Sequence, residues 1–392
     1  MQAVIMAAGK STRTYPLTVN KPKPLLKILN KTILEHNLDQ LKGLVSEVII
    51  IVGFEKDQII KKYESSYHGL KLRYVEQKVQ NGTGGAALTA QKYLNNRFII
   101  LGGDDLFSRK DIIKCLNHEY CVLAQEVEEP KKFGILDVKN GRLINIKEKP
   151  TKPKSNLANT ALYVLDKKIF SYKIRNSKRG ELEFTDMVNM MAKDEKINVE
   201  LVRDYWLPIG YPWSLLEANV FFLKRMKNKI MGKIEKGVSI KGNLFVGKGT
   251  VIKSGSCIEG PVMIGENCEI GPFAHIRPDT IIGDNCRIGK MELYDTVVMD
   301  NVTSKHTSYA AHSVIGDNVN IGAGLVTADY RHDGKENRTI VNGKKVDTGR
   351  RKLGAFIGDN VKTGIGTLIY PGRKIWPGKT TMPGEVIKKD II

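Results

Sequence analysis

Cationic side chains cluster near the N-terminus, in the stretch MAAGKSTRTYPLTVNKPKPLL (residues 6–26). Gly9 is followed there by Arg13, Lys21 and Lys23, with three prolines and no acidic residue. Small residues let backbone N–H groups approach phosphate oxygens, and an arginine can bind two such oxygens at once. The stretch therefore predicts a triphosphate site, with a basic solvated loop as the alternative.

Two common phosphate-binding motifs do not fit this stretch. GKST (residues 9–12) looks like the end of a P-loop, but that motif needs a glycine at position 4, which is valine. No G-x-G-x-x-G motif follows a predicted strand. The sequence therefore argues against a P-loop kinase and against a dinucleotide-binding dehydrogenase.

Short apolar runs alternate with helical patterns in the first half of the chain. AVIMAAG, EVIIIVGF, RFIILGGD and TALYVL are typical of strands, and TILEHNLDQLKGLV is typical of a helix. This alternation predicts an α/β domain with a mostly parallel sheet, which binds ligands beyond the carboxyl ends of its strands. Three of the strands end at Gly9, Gly53 and Asp104. Asp104 is placed to hold Mg²⁺ between phosphate groups, or else Asp104 or Asp105 caps a helix.

An aliphatic residue recurs every six positions in the second half of the chain. Ten consecutive positions of this series, from Ile234 to Ile288, are Ile or Val. The period predicts a triangular parallel β-helix with three hexapeptides per coil and with Gly, Asn and Asp at the corners. A β-sandwich would show a period of two. The phase slips by three residues near Met291, and the series returns at Val297, Tyr309, Ile315, Ile321 and, after an insertion over 328–352, Ile357.

Composition limits the class of protein. The 392 residues are 41% hydrophobic and 27% charged, and no run approaches the roughly 18 apolar residues of a membrane span. Five dispersed cysteines without a C-x-x-C pair predict reduced thiols and a cytoplasmic location. The net charge of +20 is spread along the chain, and aromatic residues are only 7%. This favours phosphorylated small molecules over nucleic acid or membranes as partners.

Seven segments carry a resemblance to a known family. They are AAGKSTR…KPKP, EQKVQNGTGGA, GGD, FGILDVKNGRLINIKEKP, PKSNLANTALYVLD, RGELEFTD and IGYPWSLLEAN. In this order they resemble sugar-1-phosphate nucleotidylyltransferases over almost all of residues 1–220. Together with the repeats, the chain resembles the archaeal-type bifunctional sugar-1-phosphate nucleotidylyltransferases/acetyltransferases. The resemblance implies a Rossmann-like nucleotidyltransferase domain over 1–223, a basic helical linker over 224–237, and a left-handed parallel β-helix acetyltransferase domain over 238–392.

The resemblance implies that a sugar-1-phosphate oxygen attacks the α-phosphorus of UTP or dTTP and that pyrophosphate leaves. Arg13 would steady the pyrophosphate, Lys23 would draw the two phosphates together, and Asp104 would bind Mg²⁺. The nucleotide would contact Ala8, Gly9, Gln77, Gly82 and Thr83. The sugar phosphate would contact Gly134, Glu148, Lys149, Asn159 and Thr160.

A second site is expected in SKHTSYAAHSVIGDNVNIGAGLVTADYRHDGK (residues 304–335). Histidine suits the removal of a proton from an attacking amine near neutral pH. By resemblance, His306 is the base for acetyl transfer from the co-substrate acetyl-CoA, in a homotrimer. The amino-sugar phosphate would contact Arg277, Tyr309, Asn320 and Lys335, the last near either the phosphate or the coenzyme. The other three histidines considered match no base position and are predicted to be structural: His275, His312 and His332.

Five residues depart from the family pattern. Ser11 and Ala161 stand where glycine is common, and Pro208 stands where a second metal-binding aspartate is expected. In the acetyl half, Tyr294 replaces a lysine and Asp329 replaces an asparagine. Asp329 would repel a sugar phosphate unless it pairs with Arg331 or Lys335. The insertion over 328–352 is predicted to reach a neighbouring subunit or the coenzyme phosphates, with a solvated basic loop as the alternative.

Three functions remain open from the sequence. The leading hypothesis is a bifunctional enzyme that converts glucosamine-1-phosphate into UDP-N-acetylglucosamine. The second is a nucleotidylyltransferase for glucose-1-phosphate whose β-helix only trimerises or regulates. The third is a scaffold that binds nucleotide sugars without turnover. The sequence does not distinguish UTP from dTTP, or among the sugars.

Overall fold

The structure is a computed structural model that describes residues 1–177 and 179–392. Contacts divide the chain into two compact units. The first unit comprises residues 1–10, 22–25 and 32–208, and the second comprises residues 11–21, 26–31 and 209–392. The division by contacts thus falls after Pro208 and splits the N-terminal stretch between the units. The functional boundaries at 223 and 238 stay a prediction.

The described residues hold six α-helices, none long and apolar enough to cross a lipid bilayer. They are α1 (Ile33–Leu41), α2 (Lys56–Tyr63), α3 (Thr83–Ala90), α4 (Arg109–Leu116), α5 (Phe184–Asp194) and α6 (Ser214–Leu223). Thr32 and Glu35 form a capping box at α1. Ser108 caps α4 by accepting a hydrogen bond from the Asp111 N–H. The alternative in which Asp104 or Asp105 caps a helix is therefore wrong.

Fourteen strands precede Ile209 among the described residues. They are β1 (Gln2–Met6), β2 (Lys27–Ile28), β3 (Lys31–Thr32), β4 (Glu47–Val52), β5 (Ser66–Tyr67), β6 (Leu70–Glu76), β7 (Arg97–Gly102), β8 (Asp105–Phe107), β9 (Cys121–Glu126), β10 (Gly134–Lys139), β11 (Arg142–Glu148), β12 (Leu157–Asp166), β13 (Asn198–Leu201) and β14 (Trp206–Pro208). Ten of them form one sheet in the order β10-β11-β13-β9-β12-β7-β1-β4-β6-β5. A separate antiparallel pair joins β8 to β14.

The centre of the sheet is parallel, as predicted. β7, β1, β4 and β6 run side by side in one direction, so their carboxyl ends share an edge. The outer part is mixed, because β12 runs antiparallel to both β7 and β9. Helices cover both faces: Leu34, Leu38 and Ile112 pack on one, and Ala87 and Met187 on the other. These two apolar layers hold the shared edge in place.

The strands from residue 229 onward are short and evenly spaced. They are β15 (Lys229–Ile230), β16 (Lys233–Ile234), β17 (Ser239–Lys241), β18 (Leu244–Val246), β19 (Val251–Ile252), β20 (Cys257–Glu259), β21 (Val262–Ile264), β22 (Glu269–Ile270), β23 (His275–Ile276), β24 (Thr280–Ile282), β25 (Arg287–Ile288), β26 (Met291–Tyr294), β27 (Val297–Val298), β28 (Thr303–Ser304), β29 (Ser308–Ala311), β30 (Val314–Ile315), β31 (Val326–Thr327), β32 (Arg338–Val341), β33 (Lys344–Asp347), β34 (Phe356–Ile357), β35 (Leu368–Ile369), β36 (Lys374–Ile375) and β37 (Val386–Ile387). All except the β32–β33 hairpin belong to three parallel sheets of eight, five and eight strands.

The six-residue period sets the register of these sheets. From β15 to β30 the three sheets take successive strands in turn, and Ile264 pairs with Ile282, which is 18 residues further on. Stacked aliphatic side chains form one buried cluster through the unit. Corner asparagines such as Asn267 and Asn285 have positive φ, which asparagine tolerates better than most residues. The arrangement is consistent with the predicted parallel β-helix.

Two details of the predicted repeat are wrong. No single three-residue slip occurs. Instead, two consecutive coils are shortened, because Ile282 pairs with Val298 after 16 residues and Val298 pairs with Ile315 after 17. Ala310 therefore points into the core at the place expected for Tyr309, which is half-buried.

The basic linker is not helical. Residues 229–230 and 233–234 are strands that pair with β18 and β19 and so start the first coil. Their apolar residues follow the six-residue series, and edge pairing outweighs the helix propensity of the surrounding lysines. The insertion over 328–352 carries an antiparallel hairpin, β32–β33.

Candidate functional site

The loop after β1 lies at the predicted sheet edge. The buried Ala8 carbonyl accepts hydrogen bonds from the Phe54 N–H (3.1 Å) and the Gln80 side-chain amide (3.0 Å). A Cβ atom at Gly53 would stand 2.8 Å from that carbonyl oxygen, so only glycine permits this approach. Gly9 itself borders open space. The predicted nucleotide loop is thus rigid at Ala8 and accessible at Gly9.

Lys23 and Asp104 form an ion pair at the same edge. The Lys23 Nζ lies 2.8 Å from the Asp104 Oδ2, and the lysine side chain is only 3% exposed whereas the aspartate is 45% exposed. Lys23 lies in a short 3-10 helix (Lys23–Leu25), and Asp104 follows β7. The structure therefore joins the predicted phosphate-binding lysine to the predicted metal ligand.

The predicted phosphate contact of Lys21 is not supported. Lys21 belongs to the second unit, and its ammonium pairs with Asp317 and lies 2.8 Å from Asp359. Burial opposes the charge on this amine, but the two carboxylates outweigh burial and raise the pKa of Lys21. Lys27 is held in the same way by Asp300 (2.5 Å) and Asp284 (3.5 Å). These pairs fix the N-terminal segment of the second unit.

The four aspartates form a ladder across successive coils. One carboxylate oxygen of Asp300 accepts from the Asp284 N–H (3.0 Å), and Asp317 accepts likewise from the Asp300 N–H (2.9 Å). Asp359 accepts from the Asp317 N–H (2.9 Å). Each carboxylate thus binds the backbone of the preceding coil through one oxygen and a lysine through the other. The aspartates recur in G-D-N or D-N sequences, but this pattern does not predict their pairing with Lys21 and Lys27, which lie more than 250 residues earlier in the chain.

Arg13 also belongs to the second unit. Its guanidinium lies 5.7 Å from the centre of the Tyr211 ring, a cation–π contact that leaves its N–H donors for other groups. Ser11 adopts φ +52°, the left-handed conformation that glycine would reach without strain. Its carbonyl accepts hydrogen bonds from the hydroxyls of Thr14 (2.7 Å) and Thr18 (2.9 Å), which stabilise the turn.

Gln77 and Gly82 lie together after β6. The Gln77 amide nitrogen donates to the Asn81 Oδ1 and to the Gly82 carbonyl, each at 3.1 Å. Gly82 has φ +104°, and a Cβ atom there would lie 2.5 Å from the Leu182 carbonyl oxygen. Thr83 begins α3 and accepts a hydrogen bond from the Phe184 N–H (3.0 Å). The loop is therefore closed on one side by residues 182–184.

Gly134 and Glu148 pair across β10 and β11. A Cβ atom at Gly134 would stand 2.9 Å from the Glu148 Oε1, so the missing side chain makes room for that carboxylate. Burial raises the pKa of Glu148, and the nearby Arg179 guanidinium opposes this rise. Lys149 adopts φ +42° and donates its N–H to the Phe133 carbonyl. Glycine and glutamate together form a polar recess beside the sheet.

Residues 159–163 form a bulge in β12. The register against β9 shifts between Asn159 and Tyr163, and Ala161 is forced to φ +61°. A left-handed conformation costs a non-glycine residue about 1–2 kcal/mol. Asn159 stabilises the bulge by accepting from the Ala161 N–H (3.0 Å) and donating to the Tyr163 hydroxyl (2.6 Å). Thr160 is fully buried and donates to the Leu123 carbonyl, so its side chain has a structural role instead of the predicted ligand contact.

Pro208 stands directly opposite Asp105 in the β8–β14 pair. The position therefore lies next to the chain at Asp104, where a second carboxylate was expected. The Asp105 carboxylate accepts a hydrogen bond from the Trp206 indole (2.9 Å). Among these residues, Asp104 remains the candidate metal ligand.

A stacked row of side chains lies on one sheet face of the second unit. Arg277 donates to the Glu292 Oε1 (2.9 Å), and its guanidinium lies 4.3 Å from the centre of the Tyr294 ring. Glu292 is in register with Tyr309 on the next strand. Tyr294 occupies the place of the expected lysine, and here it supports Arg277 by a cation–π contact. Arg277 and Tyr309 therefore share one outer face of the sheet.

His312 lies between two carboxylates and is hydrogen-bonded to one of them, Asp295. Its Nδ1 lies 2.7 Å from Asp295, and its Nε2 lies 3.2 Å from Asp329. Arg350 also binds Asp295 (3.1 Å), and the Tyr294 ring packs edge-on against the imidazole. Of the two partners considered for Asp329, Arg331 pairs with Asp333 instead. Tyr294 and Asp329, which both differ from the family pattern, thus both contact His312. The resemblance gave His312 no catalytic role.

The remaining predicted acetyl-site residues are exposed. His306 lies in the turn before β29 and makes no hydrogen bond or ion pair within the described part of the chain. Asn320 and Lys335 are exposed as well. A basic cavity of about 350 Å³ lies beside the hairpin, lined among others by Arg331, Arg338, Lys345, Arg373 and Lys388. The insertion thus lines a concave cationic surface.

Comparisons with known proteins agree with these features. The nucleotidyl transferase family model matches residues 2–225, and a model described as the GMPPB C-terminal domain matches residues 258–383. The chain belongs to the nucleotidyl transferase family. The resemblance drawn from the seven segments is therefore confirmed.

Curated relatives match over the full length. A bifunctional protein GlmU of Methanococcus maripaludis is 43% identical, with 100% of this chain and 95% of the relative covered. The GlmU of Methanocaldococcus jannaschii is 39% identical over 96% of this chain and 92% of the relative. A bifunctional sugar-1-phosphate nucleotidylyltransferase/acetyltransferase of Sulfurisphaera tokodaii is 39% identical over 100% and 98%.

A solved structure matches the first half alone. A Bacillus anthracis crystal structure, described as a candidate glucose-1-phosphate thymidylyltransferase, has a TM-score of 0.52 and 31% identity. The match covers 56% of this chain and 94% of the other. Full-length similarity is therefore found with proteins named for two activities, and half-length similarity with one named for a single activity.

Proposed function

We propose that the chain is a bifunctional enzyme that acetylates glucosamine-1-phosphate from acetyl-CoA and then joins N-acetylglucosamine-1-phosphate to UTP or dTTP. The full-length similarity to relatives named for both activities carries the proposal. In it, the second unit is a left-handed parallel β-helix that forms a homotrimer. The cytoplasmic location stays a prediction, based on thiols that form no disulfide among the described residues.

The first unit would bring two anions together. The Lys23 ammonium is buried and paired with Asp104, so an α-phosphate oxygen would have to replace that carboxylate as its anionic partner. Lys23 would stabilise charge that grows in the transition state, and Arg13 keeps the pyrophosphate contact that the resemblance implies. Until substrate binds, the ion pair keeps the buried lysine from being an uncompensated charge.

The residues at this edge fit Mg²⁺. Mg²⁺ is held in proteins by one or two carboxylates together with substrate phosphates and water, and Asp104 offers a half-exposed carboxylate. A bound Mg²⁺ would neutralise phosphate charge. Pro208 supplies no side-chain oxygen, so the substrate phosphates would contribute more of the coordination than they do where two aspartates are present.

Gln77 fits recognition of a pyrimidine edge. Its amide N–H groups are taken by Asn81 and Gly82, which fixes the orientation of the amide. The carbonyl oxygen is thereby presented as an acceptor for the N3–H of uracil or thymine. The Gly82 N-cap and Thr83 lie beside it at the start of α3.

The second unit would transfer the acetyl group. The amine of the sugar attacks the thioester carbonyl and the C–S bond breaks; His306 accepts the amine proton and passes it to the departing thiolate, so that coenzyme A leaves as its thiol. Arg277 would bind the sugar phosphate, with Tyr309, Asn320 and Lys335 around it. The basic cavity beside the hairpin suits the coenzyme phosphates.

One experiment tests both halves. The purified full chain is given glucosamine-1-phosphate, acetyl-CoA, Mg²⁺ and either UTP or dTTP, and the products are identified by mass. Asp104→Asn is expected to abolish nucleotidyl transfer and spare acetyl transfer, and His306→Ala is expected to do the reverse.

The controls separate the alternatives. Nucleotidyl transfer from glucose-1-phosphate without any acetylated product would favour the single-activity enzyme. No pyrophosphate release from UTP and N-acetylglucosamine-1-phosphate at any Mg²⁺ concentration would contradict the nucleotidyl half. Loss of both activities in either variant would contradict two independent sites.

A further inference from the structure

Three potential metal ligands meet on the outside of the second unit. Cys257 and Glu259 lie on β20, and His275 lies on β23, the strand paired with it. Cys257 and His275 are direct partners in register. The intervening Ile258 points into the core and is fully buried, so its neighbours Cys257 and Glu259 point outward. The proposed function assigns no role to any of the three residues.

Their distances suit coordination of one ion. A donor atom from each residue lies within 4.8 Å of the donors of the other two, and these residues form the one such group among those the structure describes. The Glu259 Oε1 is 2.6 Å from the His275 Nε2. Tetrahedral zinc with bonds of about 2.0–2.3 Å places its ligand atoms roughly 3.3–3.8 Å apart. Small side-chain rotations on two fixed strands therefore suffice.

The accessibility of the group is also appropriate. Glu259 and His275 each keep 40% of their side-chain surface exposed. Cys257 is half-buried, whereas the other four cysteines are buried. An ion can thus reach the cluster without the coil opening.

The donor set selects the kind of ion. Thiolate, imidazole and carboxylate together favour zinc and similar transition metals, whereas Mg²⁺ and Ca²⁺ prefer oxygen ligands alone. The hydrogen bond between the His275 Nε2 and the Glu259 Oε1 already brings two of the three donors together. Lys241, in register with Glu259, and Arg277 place positive charge nearby, which the anionic ligands have to outweigh. A thiolate and a carboxylate carry two negative charges, which one divalent ion neutralises.

We propose that Cys257, Glu259 and His275 form a site for Zn²⁺ with three protein ligands and a fourth position open to water or another donor. The metal binds the Cys257 Sγ, the His275 Nε2 and a Glu259 oxygen. The thiol proton is released to solvent, and the imidazole proton resides on Nδ1. The site is additional to the proposed function and does not depend on either transfer activity.

Cobalt provides a direct test on the full chain. The reduced, metal-free protein is titrated with Co²⁺, and the near-ultraviolet thiolate-to-cobalt band and the visible d–d bands are recorded. We expect one equivalent to bind with tetrahedral bands, and added Zn²⁺ to remove them. Cys257→Ser should remove the thiolate band. His275→Ala should weaken binding by at least the roughly 10- to 100-fold that loss of an outer-shell partner causes.

His118→Ala is the matched control. His118 also pairs with a glutamate, Glu200, at 2.7 Å, but it belongs to no three-ligand group among the residues that the structure describes. It should bind Co²⁺ as the unmodified protein does. Circular dichroism checks that each variant is folded, and Glu259→Gln gives a second, isosteric test. The proposal is overturned if excess Co²⁺ gives no thiolate band, or if the band survives in Cys257→Ser.

Discussion

The two candidate sites differ in how much of each is held within a single chain. In the first unit, Lys23 is 3% exposed and ion-paired, and Gln77 is fixed by two hydrogen bonds. In the second unit, His306 and Lys335 are exposed, and His306 has no bonded partner in the described part of the chain. A site of the first kind is preorganised on its own. A site of the second kind needs further groups, which fits the proposal that neighbouring copies complete it.

The difference follows from the two architectures. A parallel sheet gathers the loops after β7, β1 and β4 at one edge, so polar side chains converge without further help. A stack of coils instead presents flat faces, on which residues such as Arg277 and Tyr309 stand side by side. A concave pocket on such a face requires an insertion or a second molecule.

The largest expected effect separates two lysines that lie two residues apart. Lys23→Ala should lower kcat/KM for nucleotidyl transfer by about 100- to 1,000-fold, because it removes a cation that stabilises transition-state charge. Lys21→Ala removes a cation bound to Asp317 and Asp359, and it should change that activity much less. Steady-state pyrophosphate release measures both. Equal losses in the two variants would contradict the assignment of Lys23 alone to the phosphates.

A second prediction compares two equally buried lysines. Lys374 is also 3% exposed, but its ammonium donates to the Ile340 carbonyl where Lys23 has a carboxylate. Burial lowers the pKa of Lys374 to about 8 from its ordinary 10.5. Between those pH values the unfolded chain binds more protons, so the free energy of unfolding rises with pH, by about 3 kcal/mol.

Lys374→Met tests whether the free energy of unfolding rises with pH because of Lys374. The stability of the unmodified protein relative to the variant should increase from pH 8 towards pH 10 and stay level below pH 8. Denaturant unfolding at a series of pH values, followed by tryptophan fluorescence, measures the difference. A difference that does not change with pH would show that Lys374 is not neutralised in the folded state.

The third prediction concerns the imidazole between two carboxylates. His312→Ala removes the imidazole whose Nε2 lies 3.2 Å from the Asp329 carboxylate, beside the proposed sugar-phosphate position. Repulsion should raise KM for glucosamine-1-phosphate about tenfold, or 1.4 kcal/mol, with a smaller change in kcat. Asp329→Asn added to His312→Ala should restore KM. Failure of this rescue would indicate a purely structural role for His312.

Much of the fold was predictable because its determinants are local. The six-residue series from Ile234 predicts the register of the second unit, since every coil repeats the same burial pattern. The strand-ending residues Gly9 and Asp104 predict the edge of the first unit in the same way. The sequence analysis placed Val297 in the series where the structure has Val298. Both valines are buried, and the sequence alone does not say which of them points inward.

The unpredicted features depend on distant partners. Lys21 and Lys23 are alike in sequence, and only the fold gives one of them the carboxylates of Asp317 and Asp359. His312 matched no motif, because its function as a partner of Asp295 and Asp329 needs three coils to align. The linker over 224–237 was misjudged since lysine-rich segments favour helices, whereas pairing to an existing sheet edge decides the outcome.

The smallest expected effect concerns the missing carboxylate of the first unit. Pro208→Asp places a side-chain oxygen opposite Asp105, next to the chain at Asp104. A second ligand should lower the Mg²⁺ concentration for half-maximal nucleotidyl transfer by about 3- to 10-fold, since Mg²⁺ sites commonly use two carboxylates.

The matched variant is Pro208→Asn, which changes the backbone in the same way without the charge. Loss of proline frees the unfolded chain and should cost both variants about 0.4–1 kcal/mol of stability. A change in Mg²⁺ requirement confined to Pro208→Asp can therefore be attributed to coordination. If the Mg²⁺ requirement of Pro208→Asp is unchanged, position 208 does not face the metal. The geometry of the first unit would then leave coordination to Asp104 and the substrate phosphates, whichever residue stands at position 208.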